Sequence, residues 1–408
     1  MKILLLTWLF QPEPNHLKGL AYAKELVRSG HEVEVLTGFP NYPSGKVYDG
    51  YRIRWRTREL IGEVPVVRVA HYPSHSRSGL GRSLCYLSFA ASACLFGPFV
   101  VKRPDVVHVY QGPATLALPA ILMRLLFRVP FVLDVQDLWP DSVASSGMLR
   151  SSLGLAVLGW LCKLGYRCSR KIVVLSAGYK EALEKRGVPP EKIEVLHNWC
   201  DESQVQSAAD YLDRGDTFGL EGRFNVVFAG TMGKVQALDA VLDAATLLQD
   251  ELPQVQFVLV GGGIEAARLQ TLAAQRGLAG VRFIPWQPAD KIGTVLLRAD
   301  ALLIHLRDDP LGRIAIPQKT QAYMAAGRPI ILAARGDAAD LVQRARAGIV
   351  CEPENPQSIA DAVRSLVLMP REARQALGVN GKNFYARELC FAVGVRRMVS
   401  ILEEAGKP

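Results

Sequence analysis

Short apolar runs alternate with amphipathic segments along the whole chain. In the first half the runs that predict strands lie at 3–7, 32–37, 64–70, 106–110 and 131–135. In the second half they lie at 225–229, 256–260, 281–284, 301–305, 330–332 and 349–351. Continuous apolar strands are typical of parallel sheets covered by helices on both faces. Two such series predict an α/β chain with two doubly wound, Rossmann-like domains.

The boundary between the two series is a poorly periodic stretch. Residues 193–201 end a strand in polar side chains, and no clear pattern follows until about residue 221. We therefore predict an N-terminal domain at 1–200 and a second domain at 201–380. The remaining segment, 381–408, carries a helical pattern and can pack back on the first domain.

Composition and charge agree with a globular protein that meets an anion. The 408 residues are 49% hydrophobic, which is enough for two separate cores. The net charge is +9, and the positive excess lies in the first half, with 25 basic and 15 acidic residues in 1–200 against 23 and 24 in 201–408. Such asymmetry indicates contact with nucleic acid or with an anionic membrane surface.

The cysteines and the N-terminus indicate a cytoplasmic protein. Seven cysteines are scattered without a CxxC pair, which argues against a disulfide framework or a zinc site. The first apolar run is about six residues long and lacks a small-residue cleavage site, so a first β-strand is favoured over a signal peptide.

The segment 317–332 carries the strongest candidate chemistry. It predicts a loop, a short helix, a glycine stop and a buried strand. Backbone N–H groups at a helix start attract anions, and Lys319 adds a full positive charge among its neighbours Gln318, Thr320 and Gln321. The alternative is an ordinary amphipathic helix that ends at a glycine cap.

Five motifs carry a resemblance that covers nearly the entire chain. They lie at 18–20, 30–45, 137–142, 197–199 and 317–329. The chain resembles the retaining glycosyltransferases of family 4, which have the GT-B fold, and among them a bacterial branch that includes WbuB-like fucosaminyltransferases. The resemblance implies two Rossmann-like domains facing a cleft. It also implies sugar transfer from a nucleotide-diphosphate donor with retention at the anomeric carbon, with no cofactor and no required metal.

The second domain would bind the donor. Lys319, Arg313 and Lys234 are the candidate cations for the diphosphate, because charge that develops on a leaving phosphate needs stabilisation where no metal supplies it. Gly233 and Gly262 lie in glycine turns after two strands, where backbone N–H groups can meet phosphate; tight turns without a ligand remain the alternative.

A further strand end is a candidate for the nucleotide base. Pro285 and Trp286 follow the strand at 281–284 and can form an apolar wall. An exposed rim residue is the alternative for Trp286.

Two departures from the family pattern concern the donor contacts. Many relatives carry two glutamates eight positions apart, but Ile314 and Ala322 stand at those positions here. The arginine that usually precedes a lysine in the loop after the domain's first strand is also missing from residues 231–236. The ribose and phosphate contacts are therefore expected to differ from the common pattern.

In the first domain, Asp137 is the candidate catalytic residue. It follows a buried strand and can contact the sugar or accept a proton from the acceptor hydroxyl, with an N-cap role as the alternative. Gln136 stands where relatives often carry a histidine, and Asp141 fits capping better still. His108 lies inside a strand and predicts a satisfied core histidine. No protein nucleophile is assigned.

The acceptor-side candidates follow the first two strands. They are His16, Lys18 and Gly19 in the first loop and Asn41 and Tyr42 in the second. The resemblance to enzymes of bacterial surface polysaccharide synthesis implies a lipid-linked acceptor, an undecaprenyl diphosphate carrying sugar. It favours a UDP-linked donor such as UDP-N-acetylfucosamine.

A membrane surface is the predicted anionic partner. Residues 83–101 hold no charge and are flanked by basic residues, which fits a helix packed on the domain better than a span. If this helix lay on the membrane surface, its apolar side chains would contact lipid and the flanking basic side chains would contact anionic headgroups. Arg52, Arg54, Arg56 and Arg58 alternate along a possible strand and would add four charges on one face. This places the protein at the inner face of the plasma membrane.

Two other functions remain open from the sequence. A UDP-sugar epimerase of the GT-B fold would share the two-domain architecture but would need no lipid acceptor. A basic nucleic-acid-binding protein would show aromatic residues interleaved on its basic surface and a recognisable binding module, and the sequence shows neither. No nucleic-acid partner is therefore expected.

Overall fold

The computed structural model describes residues 1–74, 79–145, 148–149, 151–206 and 218–407. The chain divides into two compact units. Unit 1 comprises Met1–His197 and the segment from Gly394 onward, and unit 2 comprises Asn198–Val393. The division between the units lies three residues before the expected boundary at 200. The segment 381–408 is itself divided: its first part belongs to unit 2, and only the part from Gly394 packs on unit 1.

Unit 1 is built on an eight-stranded sheet. Its strands are β1 Lys2–Thr7, β2 Glu32–Thr37, β3 Arg56–Ile61, β4 Val64–Val69, β5 Val106–Gln111, β6 Phe131–Val135, β7 Lys171–Val174 and β8 Ile193–Val195. The order across the sheet is β3-β4-β2-β1-β5-β6-β7-β8, and every neighbouring pair is parallel except β3 with β4. Central strands are buried along their length, which explains their continuous apolar sequences.

Helices connect these strands and cover the sheet. They are α1 Leu20–Arg28, α2 Gly79–Val100, α3 Ala117–Phe127, α4 Asp141–Ser145, α5 Ser152–Cys168 and α6 Ala177–Lys185. Helix α3 packs beside both α2 and α5.

The arginine run before β3 is arranged differently from the sequence prediction. β3 begins only at Arg56, so Arg52 and Arg54 precede the strand and the four arginines do not share one strand face. Arg58 donates to the Glu34 carboxylate at 2.6 Å and to a backbone carbonyl at 3.0 Å. The edge strand still pairs antiparallel, as an edge strand can in an otherwise parallel sheet.

Helix α2 contains the uncharged segment. By length and composition it could cross a membrane, with a mean hydropathy of 1.6 and 28% of its most apolar window buried. One face, including Cys85, Phe89, Ala93 and Gly97, is buried against the rest of unit 1. The opposite face is exposed, so α2 is a helix with one packed and one open apolar side.

Unit 2 is built on a six-stranded parallel sheet. Its strands are β9 Phe224–Ala229, β10 Val255–Val260, β11 Val281–Ile284, β12 Ala301–His305, β13 Ile330–Ala333 and β14 Gly348–Cys351, in the order β11-β10-β9-β12-β13-β14. Its helices are α7 Ser203–Gln206, α8 Asp239–Leu248, α9 Ala266–Gln275, α10 Ala289–Arg298, α11 Pro310–Ile314, α12 Gln318–Ala326, α13 Asp337–Ala345, α14 Pro356–Leu368 and α15 Arg371–Phe384. A π-helical turn at Tyr385–Leu389 leads into α16, Phe391–Gly406. The carboxyl ends of parallel strands share one edge, and this edge positions the candidate residues below.

Candidate active site

Lys319 lies in the first turn of α12 and faces the end of β9. Its Nζ lies 3.6 Å from the centre of the Phe228 ring and has no hydrogen-bond partner within the described residues. A Cβ added at Gly230 would come within 3.2 Å of it, so the glycine leaves room for the ammonium. Burial lowers the pKa of Lys319 to about 7. A buried cation without an acceptor is costly, and a bound anion would relieve that cost.

Tyr323 fixes α12 against the sheet. Its hydroxyl accepts from the Ala229 N–H at 2.8 Å and lies 3.3 Å from the Ala229 carbonyl. Helix α12 then ends at Gly327, whose φ of 68° suits glycine, as the glycine-stop pattern predicts. The start of the helix is therefore held over the carboxyl end of β9.

The other residues at the start of α12 divide between surface and interior. Gln318 is exposed, whereas Thr320 and Gln321 are buried. The Gln321 amide can donate to the carbonyls of Pro317 at 2.9 Å and Gln318 at 3.1 Å. The Thr320 Oγ1 has no partner in the described part of the chain. Thus Gln321 supports the helix start from within.

Two glycine turns pack against each other at the same edge. Gly261 and Gly263 have φ values of 131° and 144°, and a Cβ on either would lie 2.2 or 2.4 Å from a backbone oxygen of the neighbouring turn. The Gly262 carbonyl accepts from the Met232 N–H at 2.7 Å, while the space around its own Cα is open. Tight turns therefore account for Gly261 and Gly263, whereas the open space beside Gly262 leaves room for a ligand.

The remaining donor-side candidates lie at the surface of unit 2. Arg313 is exposed and makes two hydrogen bonds, of 2.7 and 3.0 Å, to the Asp308 carboxylate. Lys234 is exposed in the turn that follows Gly233. Pro285 is also exposed, and Trp286 is 73% exposed. Arg313 therefore differs from Lys319, because its charge is already neutralised.

His305 organises this edge and was not singled out from the sequence. It ends β12 with its side chain fully buried. Its Nδ1 lies 2.8 Å from the Gln236 carbonyl, and its Nε2 accepts from the Glu354 N–H at 2.9 Å. The ring is thus neutral with the proton on Nδ1, and burial lowers its pKa. His305 thus joins the turn after β9 to the loop after β14. In the sequence, the one feature that could have indicated this role is a polar residue at the end of a predicted strand.

In unit 1, buried polar side chains fix the loops that carry the acceptor-side candidates. The Glu13 carboxylate accepts from the N–H groups of Asn41 and Tyr42, both at 2.8 Å. Burial raises the pKa of Glu13. Arg68 is fully buried and donates to the Gly38 carbonyl at 2.8 Å, to the Gln11 carbonyl and to the Glu59 carboxylate. Neither Glu13 nor Arg68 was predicted to have this role.

Lys18 belongs to a buried network instead of facing solvent. Its Nζ lies 3.7 Å from the Asp134 carboxylate, which is also 3.4 Å from the His108 ring, and His108 Nδ1 is 2.9 Å from the Tyr22 hydroxyl. Burial lowers the pKa of Lys18 to about 8, against the opposing effect of Asp134. The prediction that His108 is a satisfied core histidine is confirmed. Gly19 lies beside this network.

The space at Gly19 is closed. A Cβ there would lie 2.1 Å from the Asn15 carbonyl oxygen, so the start of α1 requires glycine. His16 is exposed in the same loop, and Asn41 is buried with its amide 3.0 Å from the His71 ring.

Asp137 follows β6 and is accessible to solvent, although the protein around it raises its pKa by burial. A carboxylate with a raised pKa holds a proton more readily than an ordinary aspartate does. Asp141, by contrast, begins α4 and pairs with Arg186 at 2.5 Å. Gln136 turns inward and donates to Asp134 at 2.5 Å.

Among the residues that the structure describes, no group of three or more His, Cys, Asp or Glu side chains is placed to hold a metal ion.

Comparison with known proteins decides the family. The model for the glycosyl transferase 4-like domain matches residues 20–199, and that for glycosyl transferases group 1 matches residues 215–384. The chain belongs to the family 4 glycosyltransferases of GT-B fold. This membership supports the glycosyltransferase interpretation over the nucleic-acid-binding one. It does not identify the WbuB-like branch.

Individual relatives agree with the family. WcaI of Escherichia coli (strain K12), named for colanic acid biosynthesis, is 28% identical to this glycosyltransferase and covers 91% of it and 93% of its own length. The glycosyltransferase WbjE of Pseudomonas aeruginosa is 22% identical over 73% of this chain and 76% of its own.

Solved structures share the two-domain fold. Anabaena HepE in complex with UDP has a TM-score of 0.71 at 16% identity, covering 99% of this chain and all of its own. The UDP-forming α,α-trehalose-phosphate synthase of Burkholderia vietnamiensis has a TM-score of 0.73 at 13% identity, covering 98% and 96%.

Proposed function

We propose that this glycosyltransferase moves a sugar from a nucleotide-diphosphate donor to a lipid-linked acceptor in bacterial surface polysaccharide synthesis. The observation that carries the donor half is the buried Lys319 ammonium, which has a ring on one side and no acceptor of its charge in the described structure. A diphosphate at the start of α12 would supply that acceptor and would also meet the backbone N–H groups of the helix.

A UDP-sugar is the favoured donor. HepE is described in complex with UDP and with UDP-glucose, and the trehalose-phosphate synthase as UDP-forming. The resemblance to fucosaminyltransferases favours N-acetylfucosamine as the sugar. Because Ile314 and Ala322 cannot hydrogen-bond a ribose through their side chains, the ribose contact must come from other groups, such as the backbone near Gly262 or Pro285.

The reaction retains the configuration at the anomeric carbon and needs no metal. No protein nucleophile is assigned, so the donor phosphate can itself take the acceptor proton on the same face. Asp137 is our candidate carboxylate for contact with the sugar or the acceptor hydroxyl. Product anomers resolved by NMR test retention, and full activity in excess EDTA tests the absence of a metal requirement. An epimerase would convert the donor sugar without an acceptor.

Nucleotide binding gives the first test. UDP should raise the melting temperature of the wild-type protein more than GDP or ADP at millimolar concentration, because ligands that bind the folded state stabilise it. Lys319→Ala should abolish this increase. Lys382→Ala is the matched control, since Lys382 is exposed and lies beside Gly327 at the opposite end of α12. No response of the wild-type protein to any of the three nucleotides would exclude the donor site.

The acceptor half rests on the open face of α2. Its exposed large side chains are spaced by three, four or eight residues, so they form an apolar stripe along one side of the helix. The stripe consists of Leu80, Leu84, Leu87, Leu95 and Phe99, each between 54% and 80% exposed. Helix α5, in the same layer, exposes Leu153, Val157 and Trp160.

Basic residues adjoin this stripe. Trp55 is 76% exposed, and its ring lies 6.0 Å from that of Phe96 on α2. Arg54 and Arg56 flank it and are exposed. Tryptophan and arginine next to an apolar helix are typical of a surface that binds an anionic bilayer. We place the protein at the cytoplasmic face of the plasma membrane on this basis.

Vesicle binding tests the membrane surface. The protein should co-sediment with anionic vesicles at low salt and dissociate as the salt concentration rises. The double variant Leu84→Glu/Leu87→Glu should lose this binding. Leu247→Glu, which changes an exposed leucine of α8 in unit 2, is the control. Equal sedimentation of both variants, or none of the wild type at low salt, would refute the proposal.

A further inference from the structure

The carboxyl edge of the unit 1 sheet carries a group of aromatic rings, most of which are only partly buried. The Trp8 ring, which follows β1, lies 5.4 Å from that of Tyr86 on α2 and 5.2 Å from that of Phe89. Tyr86 in turn lies 6.4 Å from Trp139, which follows β6. Phe89 is buried, but the other three rings are only half-buried. Three elements thus bring partly open rings to one place.

Several titratable side chains influence the Tyr86 hydroxyl electrostatically. Burial raises the pKa of Tyr86, and Arg82, Asp137 and Tyr42 all lie close enough to influence it electrostatically, Arg82 in the lowering direction. The Arg82 Nε is buried and has no hydrogen-bond partner among the described residues. No ion pair of the Arg82 guanidinium is found in that part of the chain either. In the described structure, the Nε–H of Arg82 is therefore an unused donor, from which a phosphate oxygen could accept a hydrogen bond.

Helix α2 joins this group to the membrane-binding stripe. Arg82 and Tyr86 are four residues apart and therefore lie on one side of the helix, whereas Leu80, Leu84 and Leu87 lie on the exposed side. A lipid bound to the exposed side of α2 could therefore extend its headgroup around the start of the helix toward Arg82 and Tyr86.

We propose that a sugar carried on a lipid diphosphate, the acceptor headgroup, binds at Arg82, Tyr86, Trp139 and Trp8. This inference rests on the proposed transferase function and assigns three residues, Trp8, Arg82 and Tyr86, that lie outside the sequence motifs. The guanidinium of Arg82 matches the geometry of a phosphate. The rings offer apolar faces to the C–H face of a pyranose, and Asp137 and the Tyr86 hydroxyl can bond its hydroxyls. The enzyme would therefore extend an existing glycan and would not transfer sugar to a bare lipid phosphate.

Two soluble probes separate the parts of this site. They are phenoxyundecyl diphosphate and the same lipid carrying N-acetylglucosamine, with binding measured by calorimetry in the absence of donor. The sugar-bearing probe should bind the wild type at least about tenfold more tightly, which corresponds to about 1.4 kcal/mol. Tyr86→Ala and Trp139→Ala should remove that preference, whereas Tyr86→Phe and Trp139→Phe, which keep a ring, should retain most of it.

Arg82→Ala should weaken both probes about equally, while the control Arg28→Ala, at an exposed position on α1, should change neither. UDP-induced stabilisation should persist in every variant, so failure at this site is distinguishable from failure of the donor proposal. Equal affinity of the wild type for the two probes, no binding of either, or unchanged preference in both alanine variants would overturn the inference.

Discussion

Replacing Lys319 with methionine should make the protein more stable and unable to bind its donor. Methionine keeps the length of the side chain and its contact with Phe228 but removes the buried charge. In the wild type, burial lowers the pKa of Lys319 from 10.5 to about 7. At about 1.4 kcal/mol per pH unit this corresponds to about 5 kcal/mol against the charged form. The cation–π contact with the Phe228 ring stabilises the charged form by about 2 kcal/mol. The variant should therefore gain up to about 3 kcal/mol at pH 7.

The lowered pKa of Lys319 also makes the stability of the protein depend on pH. Between about pH 7 and 10.5 the unfolded chain holds a proton that folded Lys319 has released, so stability should rise with pH in this interval. Below pH 7 both states are protonated and the full cost remains. The methionine variant should lack this slope. Donor binding should show the opposite trend: UDP affinity should fall as pH rises above 7, because the diphosphate favours the protonated ammonium.

Calorimetric unfolding without nucleotide, at pH 7 and pH 9, measures the first effect. For a unit of this size, 1 kcal/mol shifts the melting temperature by about 2–4 °C, so a rise of several degrees is expected at pH 7. The rise should shrink at pH 9. Addition of UDP should then stabilise the wild type and the Lys382→Met control but not Lys319→Met. A variant that is less stable than the wild type, or that still responds to UDP, would refute the reasoning.

Three further changes test separate parts of the structure. Gly261→Ala should destabilise unit 2 by more than about 2 kcal/mol in denaturant unfolding, since its Cβ would collide with backbone at 2.2 Å, whereas Gly262→Ala should fold normally. Tyr323→Phe should lose about 1 kcal/mol through the bond to Ala229, and weaken UDP binding by calorimetry. Burial lowers the pKa of His71 to about 4. Because the unfolded chain then binds a proton that folded His71 does not, unit 1 should lose stability as pH falls from 6.5 to 4. His71→Asn should lessen that loss in acid titrations followed by circular dichroism.

Much of the fold could be predicted because strand signals are local. The run at 32–37 matches β2, and the runs at 281–284 and 301–305 match β11 and β12. The arginine strand was misplaced because alternation of charge at Arg52 and Arg54 resembles an edge strand, although pairing with β4 begins only at Arg56. Pairing partners, not the pattern itself, set where that strand starts.

The candidate site was predictable only in outline. The motif at 317–329 led to Lys319, and Arg313 was predicted as a second cation for the diphosphate. Within the described residues, the Lys319 ammonium is buried without an acceptor, whereas Arg313 is bound to Asp308. Lys18 was expected to serve an acceptor, but it is paired with Asp134, 116 positions away in sequence. Neither difference has a signal in the neighbouring residues.

The sequence by itself determined the two series of parallel strands, the glycine turns at their ends and the order of the family motifs. These depend on side-chain periodicity and on backbone conformation over a few residues. The tertiary structure alone decided which charges are neutralised and which groups, Lys319 Nζ and Arg82 Nε, have no hydrogen-bond partner among the described residues. That outcome depends on burial and on distances between groups far apart in the chain, since both the cost of a buried charge and its relief are set by what surrounds it.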